Sequence, residues 1–122
     1  MPTAAPAPTV GSHFTKSTDA VRATYRALLD ASRALGPVRE EAKKTSIHLV
    51  NETAFAGIAT RKEVLILTLK AERAVKNPRV HRAQQASANR WHLEIRLATP
   101  AEVDDELRTW LSDAYDLAKG RR

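Results

Sequence analysis

The sequence predicts an α+β fold, in which a small, mostly antiparallel sheet of about four strands carries an N-terminal and a C-terminal helix on one face. Apolar residues recur at helical spacing in one segment near each end of the 122-residue chain. Short β-branched or alternating stretches lie between those two segments. Apolar residues make up 43% of the chain, enough for one core, so we expect a single domain over residues 12–122.

The first helix follows three good N-cap residues at positions 17–19. Gly36 supplies a left-handed stop and Pro37 prevents the helix from continuing. Pro37 can also start a second, shorter helix over residues 38–43, whose early acids and late lysines match the helix dipole. The stripe of the first helix consists of Val21, Tyr25, Leu28, Leu29, Ser32 and Leu35.

Four strands are predicted, at residues 47–50, 55–59, 64–69 and 91–97. The third is the most apolar stretch of the chain and is expected at the centre of the sheet. The fourth alternates between apolar and polar residues, so one of its faces is expected in the core and the other in water. Residues 72–89 show little pattern beyond the turn signal Asn77-Pro78, and we expect a long connection with room for a short helix.

The last helix is predicted from Thr99-Pro100-Ala101-Glu102, a capping box with proline at the first helical position. A long apolar stripe follows this sequence, and Gly120 ends the helix. The residues at the centres of the apolar stripes are expected to be nearly buried, namely Leu28, Leu67, Ile95, Trp110 and Leu111.

The N-terminus and the cysteine count bear on location. Residues 1–11 are rich in Pro and Ala, so we expect a flexible tail there. This segment has neither the basic nor the apolar region of a signal peptide, and no apolar run approaches the roughly 20 residues of a membrane span. The chain has no cysteine, which excludes disulfides and fits a reducing compartment. We therefore expect a cytoplasmic protein without membrane association.

The net charge of +6 comes from one segment. Residues 61–96 contain nine Lys or Arg and three Glu, whereas the rest of the chain carries eleven basic and eleven acidic residues. Lys70, His92 and Arg96 are expected on the outer faces of neighbouring strands, with Arg79 and Arg82 at the rim. These five residues form a predicted anion site, because clustered cations bind phosphate groups, and a solvated charged face is the alternative interpretation of the same segment.

No catalytic, cofactor or metal site is predicted. The four histidines have no metal-ligand spacing, no serine lies in a Gly-x-Ser-x-Gly turn, and the four glycines are scattered. The acids at positions 102 and 104–106 are expected to compensate the dipole of the last helix. We therefore expect a protein that is not an enzyme.

Several short motifs together resemble a known family. They are His13-Phe14, Leu35-Gly36-Pro37, Phe55-Ala56-Gly57-Ile58, Asn77-Pro78-Arg79-Val80, Trp91-His92 and Trp110-Leu111-Ser112-Asp113-Ala114-Tyr115. In order and spacing they are similar to the bacterial domain of unknown function 5655, over about residues 12–119. The resemblance implies a small bacterial α+β domain, found alone or appended to others, without a settled activity. The second half also resembles the YjbR-like proteins, which have been proposed to bind DNA.

Two functions remain open at this point. The first is a non-enzymatic binding module for an anionic partner, with nucleic acid as the first candidate. The second is a protein-interaction or homo-oligomerisation domain that uses the exposed sheet face or a sheet edge. A contiguous positive face favours the first, and an exposed apolar face favours the second.

Overall fold

The computed structural model describes residues 8–119. Two α-helices and six strands form an α+β fold, as predicted, but the sheet has six strands rather than about four. All neighbouring strands are antiparallel, in the order β1-β2-β3-β4-β6-β5. The elements are α1 (Asp19–Arg33), β1 (Arg39–Ala42), β2 (Ile47–Asn51), β3 (Thr53–Thr60), β4 (Leu65–Ala71), β5 (Val80–Ser87), β6 (Arg90–Leu97) and α2 (Asp105–Ala118).

Both helices pack on one face of the sheet and share a single hydrophobic core with it. Leu28, Leu67, Ile95 and Leu111 are fully buried, which confirms their predicted place in the core. Trp110 was also expected there, and this prediction was wrong, because its side chain is only partly buried at the edge of the core. The indole remains accessible because the chain beside it, between β4 and β5, has no regular structure.

The predicted short helix over residues 38–43 is wrong, since this segment forms the edge strand β1. It pairs with β2 from Arg39 opposite Val50 to Ala42 opposite Ile47. The Tyr25 hydroxyl donates a 2.6 Å hydrogen bond to Glu40 on the same strand. Six residues without an apolar stripe gain little as an isolated helix, so pairing with the sheet prevails.

The predicted long connection over residues 72–89 is also only partly right, because its second half is the edge strand β5. All eight residues before β5, from 72 to 79, lie outside any helix or strand. β5 is exposed over most of its length, and an edge strand that places only Val80 and Ala83 against the core needs no apolar alternation. The sequence of β5 therefore has no periodic apolar pattern that would predict a strand.

The last helix begins later than its capping box suggests. The Glu102 carboxylate does accept hydrogen bonds from the backbone N–H groups of Ala98 and Thr99, but these contacts close a short 3-10 helix, Pro100–Glu102. α2 itself starts at Asp105, and the side chain of Asp104 accepts a hydrogen bond from the backbone N–H of Leu107. N-terminal capping by an acidic side chain thus occurs twice in succession, at the 3-10 helix and at α2.

Packing extends to the beginning of the described chain. Thr9 and Ser12 exchange hydrogen bonds, Val10 packs against the core, and a 3-10 helix spans Gly11–Phe14. The predicted boundary between tail and domain at residue 12 falls inside this element, while residues 1–7 lie outside the described part. Within residues 8–119, neither helix has the length and apolar character that crossing a membrane requires.

Candidate functional site

The sheet face opposite the two helices, here called the outer face, brings most of the predicted anion site together. Lys70 on β4 lies directly opposite His92 on β6. Arg96 lies four residues beyond His92 on the same side of β6, because alternate residues of a strand share a face. Arg82 on β5 lies opposite Glu94 and joins this face from the edge of the sheet. Four of the five predicted residues therefore share one surface.

Arg79 does not belong to the outer face. Its guanidinium reaches the start of α2, where it lies 2.8 Å from an Asp104 carboxylate oxygen and 3.2 Å from Glu106. It also donates a 2.6 Å hydrogen bond to the backbone carbonyl of Glu102, and it lies 5.9 Å from the centre of the Trp110 ring. The guanidinium of Arg79 therefore makes intramolecular contacts on the helix side of the sheet.

The neighbouring acids at the start of α2 have a second role besides dipole compensation. The hydrogen bond from Arg79 is the main reason why the pKa of Asp104 lies below its usual range, and the backbone bond from Leu107 adds to it. Glu106 also accepts a 3.0 Å hydrogen bond from the Asn77 side chain. These contacts fasten the turn before β5 to the N-terminus of α2.

A groove of about 370 Å³ crosses the centre of the outer face. His48 on β2 stands at one side, and Lys70 and His92 stand at the other. Its volume is at the lower end of the range for small-ligand sites. The floor between the two sides consists of short side chains, including Ala54, Gly57, Ala59 and Thr68.

Gly57 keeps this floor low, although the backbone does not require glycine there. Its φ lies outside the left-handed region, unlike that of Gly36. A Cβ at Gly57 would meet nothing nearer than the His48 ring at 3.8 Å and Thr68 at 4.0 Å, which are ordinary contacts. A glycine inside a strand commonly marks a place where a ligand or another backbone approaches closely. The groove is therefore a space that the fold itself leaves open.

Lys70 is positioned at one end of the groove. Its ammonium donates a 3.2 Å hydrogen bond to the Thr53 hydroxyl at the start of β3. Partial burial lowers the pKa of Lys70, and the positive charge of nearby Arg90 lowers it further. Because both causes oppose the charged form, a bound anion beside the ammonium would restore that pKa toward its ordinary value.

One acid interrupts the cationic part of the outer face. Glu94 lies between His92 and Arg96 along β6, opposite Thr68 on one side and Arg82 on the other. Its carboxylate partly neutralises the neighbouring arginines. The net charge of this strip remains positive, because Lys70, Arg82 and Arg96 face a single carboxylate.

The sequence reasoning did not identify the groove or His48 as part of it. The sequence offers His48 only as a strand histidine that could face His92, from which β3 and β4 separate it, and Gly57 only as part of the predicted strand at residues 55–59. The usable signal was the glycine itself, since an isolated glycine in a strand pattern suggests a bulge or a close approach. β3 has a register shift nearby, opposite the step from Leu49 to Val50.

Within residues 8–119, no group of three or more His, Asp or Glu side chains is arranged for a metal ion. Comparison with known proteins gives one family match. The model of a domain of unknown function, DUF5655, matches residues 10–118. No curated protein and no solved structure matches the chain significantly. The match covers nearly the whole chain, and the protein belongs to the DUF5655 family.

Proposed function

We propose that this protein is a non-enzymatic module that binds the phosphate backbone of nucleic acid on its outer sheet face. The observation that carries the proposal is the cross-strand pair of Lys70 and His92 beside the open groove, with Arg96 and Arg82 on the same face. Lysine and arginine side chains bind phosphate mainly through charge, which favours affinity over base recognition.

The groove gives the backbone a place to approach the sheet closely. Its short floor residues allow a sugar-phosphate chain to lie nearer to Lys70 and His92 than a surface of long side chains would permit. The outer face lacks exposed aromatic rings in the described strands, so base stacking is not part of the proposal. We expect binding that tolerates different sequences.

The alternative use of the sheet face as an apolar interface has less support. Among the described residues, Leu35 is the exposed large hydrophobic side chain, and it lies just beyond the end of α1. A protein interface normally has large apolar or aromatic side chains at its centre, whereas the floor at the centre of the outer face consists of short ones. The sheet edge is a separate surface and is considered below.

Gly57 offers the sharpest test of the site. Gly57→Ala and Gly57→Val raise the floor of the groove in two steps while favouring the strand conformation. If a phosphate occupies the groove, losing that contact should reduce the magnitude of the negative slope of log K against log salt by about 1 for a labelled DNA duplex. Fluorescence anisotropy at several salt concentrations measures this slope.

The matched control is Ala86→Val, which adds bulk to an exposed strand position outside the groove. We expect it to bind as the wild type does. Circular dichroism and a melting curve check that each variant is folded. Unchanged affinity and slope in a folded Gly57→Val variant would remove the groove from the proposed site.

A further inference from the structure

The outer edge of β5 is a second surface that the fold leaves without a partner. In the sheet, β5 pairs with β6 on one side, and no described strand lies on its other side. It spans eight residues, Val80–Ser87, with register shifts near both ends and regular pairing from Arg82 to Gln85, whereas the opposite edge strand β1 has four residues, Arg39–Ala42. The unpaired N–H and C=O groups of such an edge can pair with an extended chain.

The charge around β5 selects the chemistry of that chain. No Asp or Glu occurs from Arg73 to Leu93, while this stretch contains five Lys or Arg and two His, and Glu94 of β6 lies opposite Arg82 on the outer face. β1 differs in sign, because Glu40 and Glu41 lie within it. Since Arg79 is engaged with α2, the arginines of the β5–β6 hairpin that remain are Arg82 within β5 and Arg90 at the start of β6, besides Arg96 at its far end. An acidic segment is complementary to this edge.

The two faces of β5 also specify the pattern of the partner. On the helix side, Val80 and Ala83 are partly buried against the core and offer small apolar contacts. On the outer side, Arg82 and Gln84 are exposed. Side chains of a paired strand alternate between the same two faces. A segment that alternates apolar and acidic residues would place the first kind against Val80 and Ala83 and the second kind beside Arg82.

We propose that the β5 edge binds an extended acidic segment of a partner protein by adding it to the sheet as a seventh strand. A second copy of this chain is a poorer occupant, because pairing two β5 edges brings two cationic segments together. The two proposals share Arg82, but the peptide depends on backbone pairing along β5, whereas nucleic acid depends on Lys70 and the groove, so the failure of one is distinguishable from the failure of the other. Backbone pairing belongs to the edge, whereas the groove belongs to the outer face.

The test uses a labelled ten-residue peptide in which Glu alternates with Val. A second peptide replaces Glu by Lys, and a third keeps every Glu but carries Pro in place of two central Val residues. We expect the protein to bind the first peptide and neither of the others. Proline removes backbone donors and prevents regular pairing without changing the charge. Equal binding of the proline peptide would mean attraction by charge alone and would overturn strand addition.

Amide hydrogen exchange locates the peptide on the protein. We expect new protection on bound protein at residues 80–87, and none at the opposite edge in β1. Arg82→Ala should weaken binding about two- to fivefold, the scale of an exposed ion pair. Arg39→Ala is the matched control on β1 and should leave peptide affinity unchanged. Protection elsewhere, or equal losses in both variants, would contradict the proposed site.

Sedimentation velocity of the protein without peptide tests whether a second copy of this chain occupies the β5 edge. The proposal expects a monomer at concentrations where the peptide binds. A dimer that shows protected amides on β5 would mean that a second copy occupies the edge, which would overturn the proposal.

Discussion

At the scale of single residues, Arg79 shows why a count of charges does not locate a site. The sequence places it in the most basic segment of the chain, and the predicted anion site included it for that reason. Its partners, Asp104 and Glu106, lie more than twenty residues further along the chain. That pairing depends on how the turn before β5 meets α2. Arg79 therefore contributes to the contacts that hold the fold together, and the proposed phosphate site consists of Lys70, Arg82, His92 and Arg96.

We predict that Arg79→Ala lowers the free energy of unfolding by about 2 kcal/mol, the scale of hydrogen bonds that involve a charged group. The loss comes from the contacts with Asp104 and the Glu102 carbonyl, in a side chain that is only 23% exposed. Urea denaturation measures the change. Arg82→Ala, an exposed position of the same charge, should stay within about 0.5 kcal/mol of the wild type. If both variants were equally stable, the contacts of Arg79 would not be what holds the turn before β5 against the N-terminus of α2.

At the scale of elements, apolar patterning predicted the helices and strands whose side chains form the core, and it missed the two strands whose side chains contribute little to the core. α1, α2 and the four inner strands were found because their stripes or alternation face the core. The edge strands β1 and β5 lack such a pattern, since pairing on one side and water on the other place few demands on their side chains. Their positions follow from long-range pairing, which a local reading does not contain.

The two faces of β4 give the prediction at this scale. Leu67 is fully buried between the sheet and the helices, whereas Ile66 next to it lies on the outer face. We predict that Leu67→Ala lowers the free energy of unfolding by about 2–5 kcal/mol, because it removes apolar contacts and leaves a cavity. Ile66→Ala should cost less, as this side chain is already partly in water. Thermal and urea denaturation measure the loss in both variants. Equal losses of the free energy of unfolding would contradict the assignment of Leu67 and Ile66 to opposite faces.

At the scale of the whole molecule, the excess charge proves to be divided between several surfaces. Cross-strand pairing gathers Lys70, His92 and Arg96 on the outer face, as the alternation of the strands had suggested. The groove among them was not predictable, because it depends on the alignment of Gly57 with His48 and Thr68 in three strands. The central claim is that this face, and not the overall charge, binds phosphate.

The most direct test compares two double variants that lower the net charge equally. Lys70→Ala with Arg96→Ala removes cations from the outer face, and Arg26→Ala with Arg108→Ala removes exposed cations from α1 and α2. Anisotropy titrations of a labelled duplex across a salt series give the slope, about −0.9 for each phosphate neutralised. We predict that the first pair reduces the magnitude of the slope by about 2 and that the second pair leaves it unchanged. Equal slopes in the two double variants, or no binding by the wild type at tens of micromolar protein in low salt, would contradict the account.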